Sequence, residues 1–163
     1  MSGAIQELVA KLASEGEKTT AFFGGLAPDI WNQSVYSDEG RWTTREILAH
    51  IVQTEKYLRR LMVGIKGGQA GLGAGFDLDK FNREQMLELS GLPIGELLEL
   101  FQARRRETIS WLRSSLTEED LGLRGWHPGV GETSLEKMAR LIYLHTQSHQ
   151  RDILRKIRAD QHA

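Results

Sequence analysis

The segment WTTREILAHIVQTEKYLRRLMVGIK, residues 42–66, reads as one amphipathic helix with a marked start. Thr43-Thr44-Arg45-Glu46 fits a capping box, with Thr43 at the N-cap and Glu46 reaching back from the third helical position. Beyond it, Ile47, His50, Thr54, Tyr57, Leu61 and Ile65 recur at alternating spacings of three and four, which lines them along one face. Gly64 and Gly67-Gly68 end the run. A stripe of this kind has to be buried against other helices.

The rest of the chain supplies them. Ile5, Leu8, Val9, Leu12 and Ala13 follow the same helical pattern, and a first helix is predicted from about Gly3 to Leu26, before Pro28. Asp29 to Trp42 reads as an irregular connection anchored by Trp31 and Trp42. Six glycines between Gly64 and Gly75 predict a flexible loop, and Phe76 to Ser90 holds a short helix, FNREQMLEL. Pro93 suits the first turn of a third long helix reaching about Ser115, with Leu97, Leu98, Phe101, Thr108, Ile109 and Leu112 as its stripe. Thr117 to Asp120 resembles a short capped turn, and Gly122 to Glu132 reads as a second loop. A second capping box, Thr133-Ser134-Leu135-Glu136, opens the last helix, whose seam is Leu135, Met138, Ile142, His145, His149 and Lys156. No strand pattern competes over any useful length. The expected fold is all-α, a four-helix bundle with two long connections, and residues 1–163 are expected to form one domain.

Composition narrows the function classes. The chain has 163 residues, with 21 Lys plus Arg against 22 Asp plus Glu and a formal net charge of -1. That balance argues against nucleic acid as the main partner, since phosphate binding draws on a basic surplus. There is no cysteine, so a disulfide scaffold, an iron–sulfur cluster and a cysteine nucleophile are excluded. No signal peptide is apparent and no apolar run of about 18 residues occurs, so the expected partner is not a membrane and the expected compartment is the cytoplasm.

Three of the five histidines fall on inward seams: His50 on the second helix, His145 and His149 on the last. His145 and His149 are four apart and share a face. Two imidazoles one turn apart, joined by one from another helix, suit a divalent metal held by three nitrogens, with a further position left open as in catalytic sites. A histidine on an apolar face is more often a core residue with a hydrogen-bond partner, but three neutral imidazoles meeting in a core leave several polar nitrogens to satisfy. The intervening Thr146-Gln147-Ser148 lacks the glutamate of H-E-x-x-H proteases, so peptide hydrolysis by that route is not expected. Nitrogen ligands alone do not choose among zinc, nickel, copper and iron.

Other features carry less. Gly68 to Gly75 follows a helix and lacks a Gly-Lys-Ser/Thr ending, so it does not fit a phosphate loop. Arg104-Arg105-Arg106 is expected on a solvated face paired with acids such as Glu99 and Glu107, one arginine turned inward for a carboxylate being the alternative. His127 and His162 read as structural or incidental. Tyr57 and Asn82 stand within reach of the pocket as donors, with core packing and helix capping as their simpler roles.

Trp42-Thr43-Thr44-Arg45-Glu46-Ile47-Leu48-Ala49-His50 resembles the W-[ST]-x-x-[ED]-x-[LI]-x-H opening of the second helix in the DinB/YfiT-like superfamily. The run from His145 to Ile153 resembles that family's closing H-x-x-x-H motif. Leu116 to Leu121, Gly131 to Leu135 and Phe76 to Asn82 are similar to it as well, so the resemblance spans roughly Thr43 to Arg158. It implies a four-helix bundle holding a divalent metal through His50, His145 and His149, with zinc or nickel ahead of iron. It also implies a homodimer and, in the transferase branch, a low-molecular-weight thiol such as bacillithiol or mycothiol acting on an electrophilic small-molecule substrate. Some relatives carry Glu in place of the first histidine of the closing motif, where this chain has His145. The expected function is a metal-dependent transferase using a low-molecular-weight thiol, the enzyme class being S-transferase or hydrolase, and the alternative is a non-catalytic metal-binding stress-response module acting as a dimer. No catalytic residue beyond the ligands is assigned.

Overall fold

The computed structural model describes residues 3–37 and 40–163. Its elements are α1 (Ala4–Gly24), α2 (Thr44–Lys66), α3 (Leu78–Leu89), α4 (Ile94–Ser115), β1 (Arg124–His127), β2 (Gly131–Ser134) and α5 (Leu135–Gln161), with short 3-10 turns at Pro28–Asn32 and Glu119–Gly122. The four long helices pack as a bundle in which α1 and α2 each contact both α4 and α5. The connection before α2 is tied down by Trp31, which stacks on Phe23 with ring centroids 5.9 Å apart.

The capping box of α2 forms as the sequence predicts. Thr43 Oγ1 accepts from the Glu46 N–H at 3.3 Å, and Glu46 Oε2 accepts from the Thr43 N–H at 2.8 Å. Thr43→Ala should lower stability by about 1 kcal/mol, read from the urea midpoint, while Thr43→Ser should keep most of it.

The box predicted for the last helix is displaced by one residue. Ser134, not Thr133, is the N-cap of α5, and its hydroxyl accepts from the Lys137 N–H at 3.3 Å. The reason lies in a second departure. The stretch read as a loop from Gly122 to Glu132 forms most of an antiparallel hairpin that runs on to Ser134, with Gly125 opposite Thr133 and His127 opposite Gly131. Thr133 is therefore committed to extended backbone. The glycine-rich segment after α2 is also pinned. Trp126 donates to the Ala70 carbonyl at 2.8 Å, and Leu72 donates to the Trp126 carbonyl at 2.9 Å. Gly71 between them has φ +91°, and a Cβ there would strike the Trp126 backbone, so glycine is required. Pro93 sits just ahead of α4 rather than in its first turn.

The apolar core divides into two clusters. One gathers Leu8, Leu12, Met62, Leu112, Met138 and their neighbours, and the other Phe23, Ile47, Leu48, Phe101 and Ile153 with theirs. Between them on every long helix lies buried polar material: Glu15 and Thr19 on α1, His50 and Glu55 on α2, Arg105 and Thr108 on α4, Thr146 on α5. Burying such a layer is costly unless its groups are paired, and most of these are, Glu55 Oε2 and Arg105 Nη2 being the exceptions. Arg105 Nε meets Glu55 Oε1 at 2.8 Å, Gln147 donates to Glu15 at 2.8 Å and Gln150 donates to Thr19 at 2.8 Å. The hydrogen bond from Gln147, with Lys18 beside it, holds the Glu15 carboxyl down at about 2. Among the described residues, no helix is long and apolar enough to cross a membrane.

Candidate metal centre

The polar layer contains the three seam histidines, and the fold brings them together. His50 projects from the second turn of α2, while His145 and His149 project one turn apart from α5, which packs beside it. His145 Nε2 lies 3.0 Å from His50 Nε2 and 3.0 Å from His149 Nε2. The rings stand edge-on to one another, with interplanar angles of 75°, 86° and 87°. Trp42 covers His50, its ring centroid 4.7 Å away. Among the described residues this is the one group of three or more metal-capable side chains, with its ligand atoms all within 4.8 Å of one another.

The electrostatics keep all three rings neutral. Burial, reinforced by the nearby His145 and His149, pushes His50 well below its ordinary 6.5. Burial and then the neighbouring His149 take His145 down to about 3, and burial takes His149 down to about 4. Neutral imidazole is the form that binds metals.

Hydrogen bonding on the far side of His149 sets its tautomer. Tyr36 Oη lies 2.7 Å from His149 Nδ1 and donates to Asp152 Oδ2 at 2.8 Å. A carboxylate only accepts, so the phenol proton goes to Asp152 and the His149 Nδ1–H donates to the phenol oxygen. That leaves His149 Nε2 with a bare lone pair aimed at His145. His50 Nδ1 lies 3.4 Å from Thr54 Oγ1.

Counting protons tests whether these residues fit a cation. With His149 Nε2 bare, three neutral rings have protons for only one full hydrogen bond across two 3.0 Å contacts. One buried nitrogen lone pair is left facing another nitrogen, a costly arrangement. A cation among the three lone pairs removes the conflict. Nitrogens bound tetrahedrally to zinc at about 2.0–2.1 Å stand roughly 3.3 Å apart, close to the 3.0 Å on either side of His145, with all three atoms within 4.8 Å. The donor set fits a divalent metal, and with three protein nitrogens it leaves room for an outside ligand.

The remaining sequence candidates fall elsewhere. His127 lies in the hairpin, outside the ligand group but near enough to act electrostatically on His145, and His162 lies at the exposed end of α5. Arg105 is turned inward, where Glu55 and the Leu12 carbonyl, at 2.8 and 2.7 Å, hold its Nε and Nη1 while Nη2 has no partner among the described residues. Tyr57 packs on Phe81 with ring centroids 4.8 Å apart. Asn82 caps nothing, because Asp77 is the N-cap of α3. Sequence reasoning missed Tyr36 and Asp152. The one available signal for Asp152 was its position three residues beyond His149 on the same side of α5, and Tyr36 carried none.

Searching curated proteins finds no match. Among solved structures, the mycothiol-dependent maleylpyruvate isomerase superposes with a TM-score of 0.74 at 12% identity, covering 94% of this chain and 63% of that one. A histidine-to-alanine variant of that enzyme superposes with a TM-score of 0.73 at 11% identity over the same shares. The chain thus spans less than two thirds of that enzyme's length, and at this identity the likeness is one of fold. The sequence itself matches the DinB superfamily over residues 5–153, and the chain belongs to that superfamily.

Proposed function

We propose that the protein binds a divalent metal through His50, His145 and His149 and catalyses transfer of a low-molecular-weight thiol to an electrophilic small molecule. The observation that carries this reading is the meeting of three neutral Nε2 atoms that cannot satisfy one another. The structural likeness to a mycothiol-dependent isomerase supports the thiol. The chain has no cysteine, so in this reading any sulfur nucleophile arrives with a co-substrate. A divalent cation, when bound, favours the thiolate form of such a thiol at neutral pH.

The chain's own residues have three tasks in this reading. The three imidazoles bind the ion without adding negative charge. Tyr36 and Asp152 orient His149 and keep its proton on Nδ1. Trp42 shields His50 from water. Residues 1–163 act as one unit, because all three ligands come from helices of the same bundle.

The test begins with metal analysis of untagged protein. Stoichiometric metal is expected in the natural chain and loss of nearly all of it in the His145→Ala/His149→Ala variant. Full metal content in that variant would overturn the ligand assignment. A screen of small thiols against electrophiles, read as loss of free thiol, then tests the chemistry. Metal without turnover for any pair would favour a non-catalytic module instead. Tyr36→Phe should weaken metal binding about tenfold in competition with a chelator, since it removes the partner that fixes the His149 tautomer.

A further inference from the structure

Against the hairpin, between α2 and α3, lies a cavity of about 60 Å³. Leu61, Phe76 and Phe81 supply apolar wall, and no Asp, Glu, Lys or Arg lines it. Thr54 and His127 are among its polar residues. Thr54 connects the cavity to the imidazole cluster, since its hydroxyl lies 3.4 Å from His50 Nδ1.

The hairpin turn determines what His127 offers. Its Nδ1 accepts from the Gly129 N–H at 3.0 Å and from the Val130 N–H at 3.2 Å. A nitrogen that accepts carries no proton, so the neutral ring carries its proton on Nε2. Burial lowers the pKa of His127, which keeps the ring neutral at neutral pH, and the same ring is close enough to act electrostatically on His145. The one polar group this ring has left for the cavity is an uncharged N–H donor.

We propose that the cavity binds the uncharged, largely apolar part of a small molecule that carries a carbonyl-type acceptor oxygen, with His127 Nε2–H as its donor. An apolar wall suits such a group, and the absence of any lining cation excludes a carboxylate or phosphate, whose lost hydration nothing would offset. The ligand's role as the electrophile rests on the transferase reading above. Its binding does not, because no metal ligand takes part.

The test is a pair of size-matched probes small enough for the cavity, acetone and acetate, titrated separately into the full-length protein and followed by amide NMR. The ketone should shift Thr54, Asn82 and His127 saturably, and the carboxylate should bind there at least about tenfold more weakly. His127→Asn keeps an acceptor for the turn and removes the distant donor, and should weaken the ketone about fivefold with little change in melting temperature. His127→Gln restores a donor near the Nε2 position and should bind the ketone better than the Asn variant. Equal binding of the two probes, a ketone that moves none of these resonances, or an Asn variant that binds like the natural protein would each overturn the proposal. Repeating the titration in the His145→Ala/His149→Ala variant separates the two readings. Ketone binding retained there, with metal content unchanged, would refute the metal centre and leave this cavity standing.

Discussion

Arg105→Ala should destabilise the fold by about 3–5 kcal/mol, the range for removing one partner of a buried ion pair. Arg105 is 4% exposed and Glu55 2% exposed, and their contact at 2.8 Å joins α4 to α2. A second bond, from Nη1 to the Leu12 carbonyl at 2.7 Å, reaches α1. Gly16 allows that approach, since a Cβ there would lie 3.1 Å from Nη1. Deleting the guanidinium leaves a carboxylate buried without its counter-charge and frees the Leu12 carbonyl. Glu55 Oε2 already has no partner of its own, so nothing nearby takes up the load. A domain of this size typically has about 5–15 kcal/mol in all, so the loss is a large share. The urea midpoint measures it. Glu55→Leu/Arg105→Met, which removes both charges and keeps the volume, should recover at least about 2 kcal/mol of the loss. A cost for Arg105→Ala below about 1 kcal/mol would refute this account.

The pair also shows where sequence reading runs out. The helices were legible because their seams repeat at three and four, and the three histidines were legible because they interrupt those seams. Arg105 was not, because a run of three arginines looks like a solvated face. In the structure Arg106 is exposed, Arg104 stands beside Glu107, and Arg105 alone turns in to an acid fifty positions away. Tyr36 and Asp152 are similarly remote, 116 positions apart, and meet only because the connection before α2 passes the C-terminal half of α5. The hairpin escaped for a different reason. The inward position of β1 is Gly125, packed under Ile65, so the strand carries no apolar alternation to be read. Local periodicity and capping signals survive in one dimension, while pairing across the bundle does not.

The metal-free protein should lose stability as pH falls from about 6.5, and bound metal should delay that loss. In the unfolded chain each histidine titrates near 6.5. In the folded chain His145 titrates at about 3, His149 at about 4 and His50 well below its ordinary value. The folded values are depressed, so below 6.5 the unfolded state binds protons that the folded state refuses. Stability is complete above that pH and drains as pH falls toward the folded values, at about 1.4 kcal/mol per pH unit for each histidine that remains neutral in the fold. Below about 4.5 the carboxyl of Glu15, held at about 2, drains stability in the same direction. Measurement between pH 7 and 5 therefore isolates the histidines. A His145→Gln/His149→Gln variant, which has no proton to gain at these positions, should lose clearly less stability over that interval than the natural chain. Zinc or nickel at about a thousandfold excess over its dissociation constant should add about 4 kcal/mol at pH 7 to the natural chain. It should add little to the variant. Because proton and cation compete for the same Nε2 lone pairs, the added stability should itself shrink as the solution is acidified. Identical pH dependence in the natural chain and the variant would mean that His145 and His149 are not held neutral, and the argument from their unsatisfied lone pairs would fall with it.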